Sequence, residues 1–451
     1  MAKICLKYSI GSGKCEKCEE FNMKAMTILV FNTGSSSLKF SFYRMESSLF
    51  DEDIDLESFT ETILNESLPV ETFNLHTLIE GEIELFAVKD KNNFNVKDAS
   101  NITIHTASIT AANHTDAALH VVRFMVSFDT PTPQAIAHRV VHGGPNLLQH
   151  CLINDQVVRE LASMRAFAPL HNHAALEIIE YTRRTFAHLP QIACFDTTFH
   201  ASMPDVARVL PIAKELQLSG VRRFGFHGLS CESIVWQLNN AVHLRTTKRL
   251  IIAHLGNGAS VTAVKNGQSI DTSMGLSPSG GVMMGTRCGD IDPGVLIYLL
   301  REKKYDCNAI EALVNHQSGL LGVSGVSSDM RILHAASTIN PNVQLAIEMF
   351  CYSVAKQIGA MITVLNGIDT LVFTGGIGEH DSIVRQLICN QLTCLKIVLN
   401  DEKNLHDETN HTEDIFTISD ANSACAVRVI KSQENAQIAR HAAMLLELIP
   451  A

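Results

Sequence analysis

The chain has 451 residues, 46% of them hydrophobic, with a mean hydropathy of +0.11, a formal net charge of −11 and a sequence pI of about 6.0. A single core rarely grows past roughly 250–300 residues, so two domains are expected. An acidic chain without a long Lys/Arg run argues against nucleic acid or a membrane surface as the main partner, although a few focused Arg residues can still hold a phosphate.

Residues 1–25 are Lys-, Glu- and Cys-rich with weak periodicity and read as an N-terminal extension, expected to be disordered. They hold no apolar run of signal-peptide length, and the chain shows no apolar stretch near the roughly 18–20 residues of a membrane-spanning helix, so a cytoplasmic location is expected. The 12 Cys are scattered, and the C-x-x-C at Cys15 and Cys18 has no second pair nearby, which favours free thiols over a zinc site. Gly11-Ser12-Gly13-Lys14 looks like the end of a P-loop, but Tyr8 and Cys15 stand where Gly and Ser/Thr are needed, and no buried strand precedes it. The Asn-x-Ser/Thr triplets at Asn65, Asn101, Asn113 and Asn410 read as chance matches.

Order begins with a buried strand over Thr27–Phe31, then a small-residue turn, Asn32 to Ser37, then a second strand from Leu38 to Tyr43. Residues 45–115 are polar and loosely patterned, and suggest strands and loops with a peripheral insertion. A similar strand–turn–strand unit recurs at Arg249–Asn266, through Gly256-Asn257-Gly258, with Asn266-Gly267 as a hairpin signal. Each half carries a further Gly-rich strand end, at Ala135–Gly144 and at Thr370–Glu379. This weak internal symmetry points to two α/β domains of related plan around a cleft. Ile438, Ala442, Leu445 and Ile449 recur at helical spacing and mark a final helix.

Two features carry chemistry. Backbone N–H groups approach phosphate only where side chains are small, and the Gly/Ser/Asn turns provide that, with Asn32, Ser35, Ser37 and Lys39 adding donors. Arg139, Asp196 and Arg287 are ionisable residues set in apolar runs, where a lone charge is expensive to desolvate. Such residues serve either a charged ligand or a structural ion pair, for which Arg139 with Asp196 is the natural choice. Phosphate turns with buried Arg and Asp suit phosphoryl transfer, which needs charge neutralisation and positioning more than covalent chemistry.

The blocks Phe31-Asn32-Thr33-Gly34-Ser35-Ser36-Ser37-Leu38-Lys39, His138-Arg139-Val140-Val141-His142-Gly143-Gly144, Ala168-Pro169-Leu170-His171-Asn172 and Phe195-Asp196-Thr197-Thr198-Phe199-His200 resemble the acetate kinase family, within the actin-like and sugar-kinase superfamily. So do Arg223–Gly228, His254–Gly258, Met284–Asp290, Ser324–Arg331 and Gly375–Glu379, and the resemblance spans about residues 26–448. It implies two related actin-like (ribonuclease H-like) domains with a catalytic cleft between them. The expected division is 26–198 plus 436–451 as the N-terminal domain and 199–435 as the nucleotide-binding domain. It also implies a homodimer, formed largely through the second domain, and closure on substrate.

The implied activity is reversible, magnesium-dependent transfer from ATP to acetate, giving acetyl phosphate and ADP, with manganese as a possible substitute ion. By the resemblance, Arg139 and Arg287 flank the transferring phosphoryl group, and His227 donates to its oxygens. Asp196 and Glu434 lie at the magnesium site with Asn32, while His171 and His254 line the phosphate path. Lys39, His254, Leu255, Gly256, Asn257 and Gly258 face the nucleotide phosphates. Asp329, Met330, Arg331, Gly375, Gly376, Ile377 and Gly378 lie near the nucleotide. Val141, Leu170, Phe226 and Pro278 form the pocket for the acid's alkyl end. A fatty acid with a pKa of about 4–5 is already ionised at pH 7, so no general base is required and Asp196 suits the metal or its water shell.

The chain departs from the family pattern at His380, where Asn is usual, at Pro278-Ser279-Gly280-Gly281, at Cys231 in place of a second His, and at Lys431-Ser432 in place of Pro-Thr. Three alternatives remain: preference for propionate or butyrate, a donor such as pyrophosphate, for which His380 is the reason, and a nucleotide-binding relative without kinase activity.

Overall fold

The computed structural model describes residues 25–34, 37–47, 73–85, 92–128, 130–164, 169–241, 244, 247–405 and 414–447. The N-terminal extension with Cys15 and Cys18, together with Ser35, Asn65, Asn410 and Ile449, lies outside the described residues.

Ile28-Leu29-Val30-Phe31 is apolar on both faces and forms the centre of β1 (Met26–Thr33), which is buried nearly throughout. It turns at Gly34, whose N–H donates to Ser37 O at 2.9 Å, into antiparallel β2 (Ser37–Ser47). The sheet continues through β3 (Phe73–Glu84), β4 (Asn92–Asp98) and β5 (Thr103–Ile109) on one side. On the other side lie β6 (Ala135–Val140), β7 (Cys151–Leu152) and β8 (Gln191–Phe195), in the order β5-β4-β3-β2-β1-β6-β8-β7. The polar stretch over 45–115 is therefore less peripheral than its composition suggests. Its described part extends the main sheet, and β4 alternates buried Asn92, Phe94 and Val96 with exposed neighbours. This period-2 signal is short and interrupted by polar residues on the buried side. Asn113 caps α1 (His114–Ser127) by accepting from Asp116 N at 2.8 Å. With α3 (Pro169–Thr185), which follows α2 (Asp155–Ser163), α1 covers one sheet face through Ala117, Val121, Phe124 and Ile178.

After α4 (Gly228–Asn240) the plan repeats. β9 (Arg249–Leu255) pairs antiparallel with β10 (Ala259–Lys265), which turns at Asn266 (φ 51°) and Gly267 (φ 80°) into β11 (Gln268–Thr272). Positive φ at both turn positions is the geometry for which Asn-Gly is favoured. The helices that follow include α5 (Pro293–Arg301), α6 (Cys307–His316), α7 (Met330–Ala336) and α8 (Pro341–Leu365). Then come β12 (Thr370–Thr374), α9 (Gly375–His380), α10 (Ser382–Asn390), β13 (Ile415–Thr417) and β14 (Ala426–Ile430). The sheet order is β11-β10-β9-β12-β14-β13. Thus β3-β2-β1-β6-β8 and β11-β10-β9-β12-β14 share one arrangement: an antiparallel three-strand meander followed by two parallel strands. The internal symmetry suggested by the turns is a duplication of this unit.

One sequence expectation needs correction. Helix α8 is long and apolar enough, by length and composition, to cross a membrane. It packs as a core helix, with Val343, Ile347, Phe350, Val354, Ile358 and Met361 buried against the second sheet's cluster.

The last helix, α11 (Glu434–Glu447), returns to the first sheet and buries Ile438, Ala439, Ala442 and Ala443 against Ile28, Val30, Ala137 and Ile192. Ile438→Ala is expected to cost about 2–5 kcal/mol in urea unfolding, while Met444→Ala, on the exposed side of the same helix, stays within about 0.5 kcal/mol.

Candidate active site

Parallel neighbours carry their carboxyl ends to the same sheet edge, which is where ligands bind in open α/β sheets. In the first sheet, β1, β6 and β8 deliver Asn32, Arg139 and Asp196 to one edge. In the second, β9 and β12 deliver His254 opposite Thr374. These edges meet at a cavity of about 260 Å³ lined by Asn32, Gly34, Ser37, Lys39, Arg139, Val141, Asp196, Phe226, His227, His254, Gly256, Asn257, Gly258, Pro278, Arg287 and Glu434. A neighbouring cavity of about 690 Å³ shares Asn32, Lys39, His254 and Glu434 with it and adds Gly375, Gly376, Glu379, His380 and Lys431.

Arg139 is the hub. Its Nη2 lies 2.6 Å from Asp196 Oδ2, its Nε donates to both Asp196 oxygens at 3.1 and 3.2 Å, and its Nη1 donates to Asn32 Oδ1 at 3.2 Å. Asn32 Nδ2 donates in turn to Glu434 Oε2 at 3.0 Å and to Asn435 Oδ1 at 2.9 Å. The structural ion pair and the ligand-facing arrangement, set out as alternatives from the sequence, therefore coexist: the Arg139–Asp196 pair itself lines the cavity. Burial disfavours the Arg139 charge, but Asp196 and Glu434 overcome this and hold the guanidinium protonated. Burial also opposes the Glu434 charge, and Arg139, His254, Asn32 and Lys39 outweigh it, so this carboxyl sits below its ordinary value. At Asp196 burial raises the carboxyl's pKa while Arg139 pulls it down.

His227 has φ 57°, left-handed backbone that a non-glycine residue adopts at a cost of order 1 kcal/mol and that clusters at functional sites. The turn starts α4 directly after Phe226 and places the His227 ring against the second sheet, with Nδ1 2.9 Å from Ser260 Oγ. Its ring stacks on His254, with centroids 4.1 Å apart. Burial, then His254, Arg139 and Arg287, push His227 well below its usual range, so the ring is neutral. Arg287, lowered to about 10 by burial and by Arg139, stays charged at neutral pH and donates to Pro278 O at 2.9 Å. A Cβ on Gly258 would lie 3.2 Å from Arg287 Nη1 and 3.3 Å from His227 Nε2, so any larger residue would crowd both side chains.

The sequence-derived residues distribute unevenly. Arg139, Asp196, His227, Arg287, Asn32, Glu434, Lys39, His254, Gly256, Asn257, Gly258, Val141, Phe226 and Pro278 converge on the smaller cavity, and Gly375 and Gly376 on the larger. Leu255 is buried within β9. Asp329 caps α7 and pairs with the exposed Arg331 at 2.6 Å; neither they nor Met330, Ile377 and Gly378 line these two cavities. The side chains of Leu170 and His171 lie outside the described residues. Cys231 is packed in the core and its thiol is pushed up to about 12 by burial, so it offers no substitute for a histidine. The sequence reading missed Ser230, Ser260, Glu379 and Ser432, which face the site through polar contacts that only the folded chain brings together.

The match to the acetokinase family model covers residues 27–440. An acetate kinase of Rhodopseudomonas palustris is 37% identical over 417 residues, covering 92% of this chain and 97% of that protein. The chain belongs to the acetokinase family. Among solved structures, a propionate kinase from Francisella tularensis superposes with a TM-score of 0.77 at 33% identity, covering 92% of this chain and 98% of that one. The acetate kinase of Porphyromonas gingivalis gives 0.75 at 30% identity, covering 94% and 100%. The fold is accordingly the actin-like type of these kinases.

In this acetokinase-family chain a second ionisable group sits behind the cavity. Glu232 Oε2 lies 2.7 Å from His441 Nε2 and 3.6 Å from His150 Nε2. The three could be taken for a metal site. However, His150 Nδ1 accepts the Phe195 N–H at 3.0 Å, so in the neutral ring Nε2 carries the hydrogen and has no lone pair to offer a metal. Burial works against the Glu232 charge, but His441 and His150 bring its pKa down from 4.5 to about 2. A folded-state value below the unfolded one stabilises fully above pH 4.5, and the stabilisation fades as pH falls toward 2. Glu232→Gln is therefore expected to lose about 2–3 kcal/mol at pH 7, with the gap to the parent narrowing as unfolding is measured at falling pH below about 4.5.

Proposed function

We propose that the chain transfers the γ-phosphoryl group of ATP to acetate, reversibly, giving acetyl phosphate and ADP. The observation that carries this reading is one small cavity in which two partly buried guanidinia, Arg139 and Arg287, and the neutral ring of His227 face the same space. Three equatorial phosphoryl oxygens gather negative charge in the transition state, and three fixed donors match them. The carboxylate nucleophile arrives ionised, which removes any need for a base and agrees with Asp196 being engaged by Arg139. Val141, Phe226 and Pro278 give the acid's methyl group a short apolar wall.

Asn32, Asp196 and Glu434 form an oxygen donor set that fits a hard divalent cation such as magnesium, with manganese as a substitute. When bound, that ion neutralises phosphate charge. Lys39, His254 and the Gly256–Gly258 turn hold the nucleotide phosphates, and Gly375–Gly378 with Asp329, Met330 and Arg331 hold the nucleoside. We take the two lobes as 26–198 plus 436–451, and 199–435, closing on substrate to exclude water.

Similarity to the propionate kinase favours a second reading, in which propionate is the preferred acid. One methylene is worth only about 1–3 kcal/mol, so both acids should react and their ratio decides. Hydroxylamine trapping of acyl phosphate with ATP and magnesium is expected to give most product with acetate, less with propionate and least with butyrate. Arg139→Ala and Arg287→Ala should each lower turnover on the order of 10³-fold with the fold retained by circular dichroism. Near-normal turnover in either variant overturns the assignment. Product only with acetyl phosphate and inorganic phosphate, run in reverse, would identify a pyrophosphate-linked enzyme.

A homodimer is part of the same proposal. It is supported by exposed Ile297, Tyr298 and Leu300 on α5 and by Leu345, Met349 and Tyr352 on α8. Light scattering should give twice the chain mass, and Tyr352→Glu should lower it.

A further inference from the structure

The stacked partner of His227 is held by a hydroxyl chain. His254 Nδ1 lies 2.8 Å from the Oγ of Ser230, a fully buried residue in the first turn of α4. Ser432 Oγ donates to Ser230 Oγ at 3.0 Å. Ser230 Oγ keeps a second lone pair after that contact, but its single hydrogen needs an acceptor of its own, and His254 Nδ1 stands at hydrogen-bond distance. A buried hydroxyl hydrogen left without an acceptor would cost about 1–3 kcal/mol. Nδ1 then carries a lone pair, and the ring's one hydrogen sits on Nε2. Burial lowers the His254 pKa against the opposing pull of Glu434 and Glu379, with Arg139 and Lys39 adding to the lowering, so the ring is neutral and has a defined tautomer. His254 lines both cavities, and its Nε2 lies on the side of the Gly375 turn, 3.1 Å from where a Cβ on that glycine would stand.

Ser432 is itself fixed. Its N–H donates to Glu379 Oε1 at 2.9 Å, and the same oxygen accepts from Gly375 N at 2.8 Å and Thr374 Oγ1 at 3.1 Å. The next residue, Gln433, donates its N–H to Ser233 Oγ at 3.2 Å. The segment joining β14 to α11 is thereby tied both to the Gly-rich turn and to α4.

We infer that Ser230 and Ser432 are positioning residues that lock His254 as its Nε2–H tautomer, so that the ring offers a neutral donor to the phosphate in transit. This rests on the phosphoryl-transfer reading. The other tautomer would turn a lone pair toward a phosphate oxygen and repel it. Glu379 anchors the chain by fixing Ser432.

The test reads the tautomer and the kinetics separately. Nitrogen-15 chemical shifts of labelled histidine, assigned with His254→Gln, should show His254 protonated on Nε2 at neutral pH in the full chain, and a mixture of tautomers in Ser230→Ala. Ser230→Ala and Ser432→Ala should each lower kcat roughly tenfold, less than the roughly 10²–10³-fold loss on removing a donor outright. KM for the acid should stay within about twofold, since ground-state binding is untouched. The double variant should be no slower than Ser230→Ala alone, because the hydroxyls act in series, and Ser432→Thr should restore kcat. A His254 ring protonated on Nδ1 or carrying two protons in the parent overturns the proposal, and so does an unchanged kcat in Ser432→Ala. If the parent makes no acyl phosphate, the functional reading falls, while the nitrogen shifts still decide the tautomer.

Discussion

A guanidinium buried at the seam of two sheets must be matched by carboxylates, and most of the site follows from how this chain meets that requirement at Arg139. Removing one partner of such a buried pair typically costs about 3–5 kcal/mol, because the remaining charge has no water to turn to. Asp196, directly after β8, answers Arg139, and Asn32 from β1 relays it to Glu434 on α11. Three elements of the first sheet and the helix that closes the chain are thus held in register by one charge. The pair has little hydrophobic competition at this position, since it sits at the strand ends, where apolar packing gives way to the cavity.

The same low-polarity surroundings dictate what the histidines can be. With Arg139 near both rings, Arg287 near His227 and Lys39 near His254, and with burial disfavouring charge, a further positive charge at either histidine is unfavourable, and both rings are neutral. A neutral imidazole is useful only if its hydrogen is on the right nitrogen. Each ring therefore has a serine hydroxyl at Nδ1, Ser260 for one and Ser230 for the other. Neutral rings beside the two guanidinia leave the mutual repulsion of Arg139 and Arg287 without a further contribution.

How much of this could be read from the sequence depended on how local each signal was. The central strands were visible because β1 and β9 are continuous apolar runs, and the Gly-Asn-Gly and Asn-Gly turns have a chemistry of their own. Buried Arg139, Asp196 and Arg287 stood out because charge inside an apolar run is rare. Strands β3–β5 were blurred, since their buried positions include Asn92 and their core contacts come from distant aromatic residues such as Phe40 and Phe124. Helix α8 was missed as a long apolar element because Glu348 and Lys356 break the run in sequence, whereas on the helix they leave the buried face intact. Ser230 carries no signal in one dimension, and Glu379 and Ser432 stand out only as members of sequence blocks, with nothing to pair them with each other or with Ser230. A serine 202 positions from its hydrogen-bond partner acquires meaning only when the chain returns.

That return is where the fold and the chemistry meet. The connection from β14 to α11 leaves the second sheet and re-enters the first within a few residues, and it carries Ser432, Glu434 and Asn435 in sequence. Ser432 is bonded to the second sheet's Gly-rich turn and to α4, while Glu434 and Asn435 are bonded to Asn32 and, through Asn435, to Ser41 of β2. Any relative movement of the two sheets must load this segment, because it is anchored on both sides over four residues. A closing motion that brings the nucleotide side toward the acid side would therefore adjust His254 and Glu434 together. His254 on β9 is tied through Ser230 to Ser432, two residues before Glu434, so the histidine of the second sheet and the carboxylate near Arg139 are coupled through one short crossover.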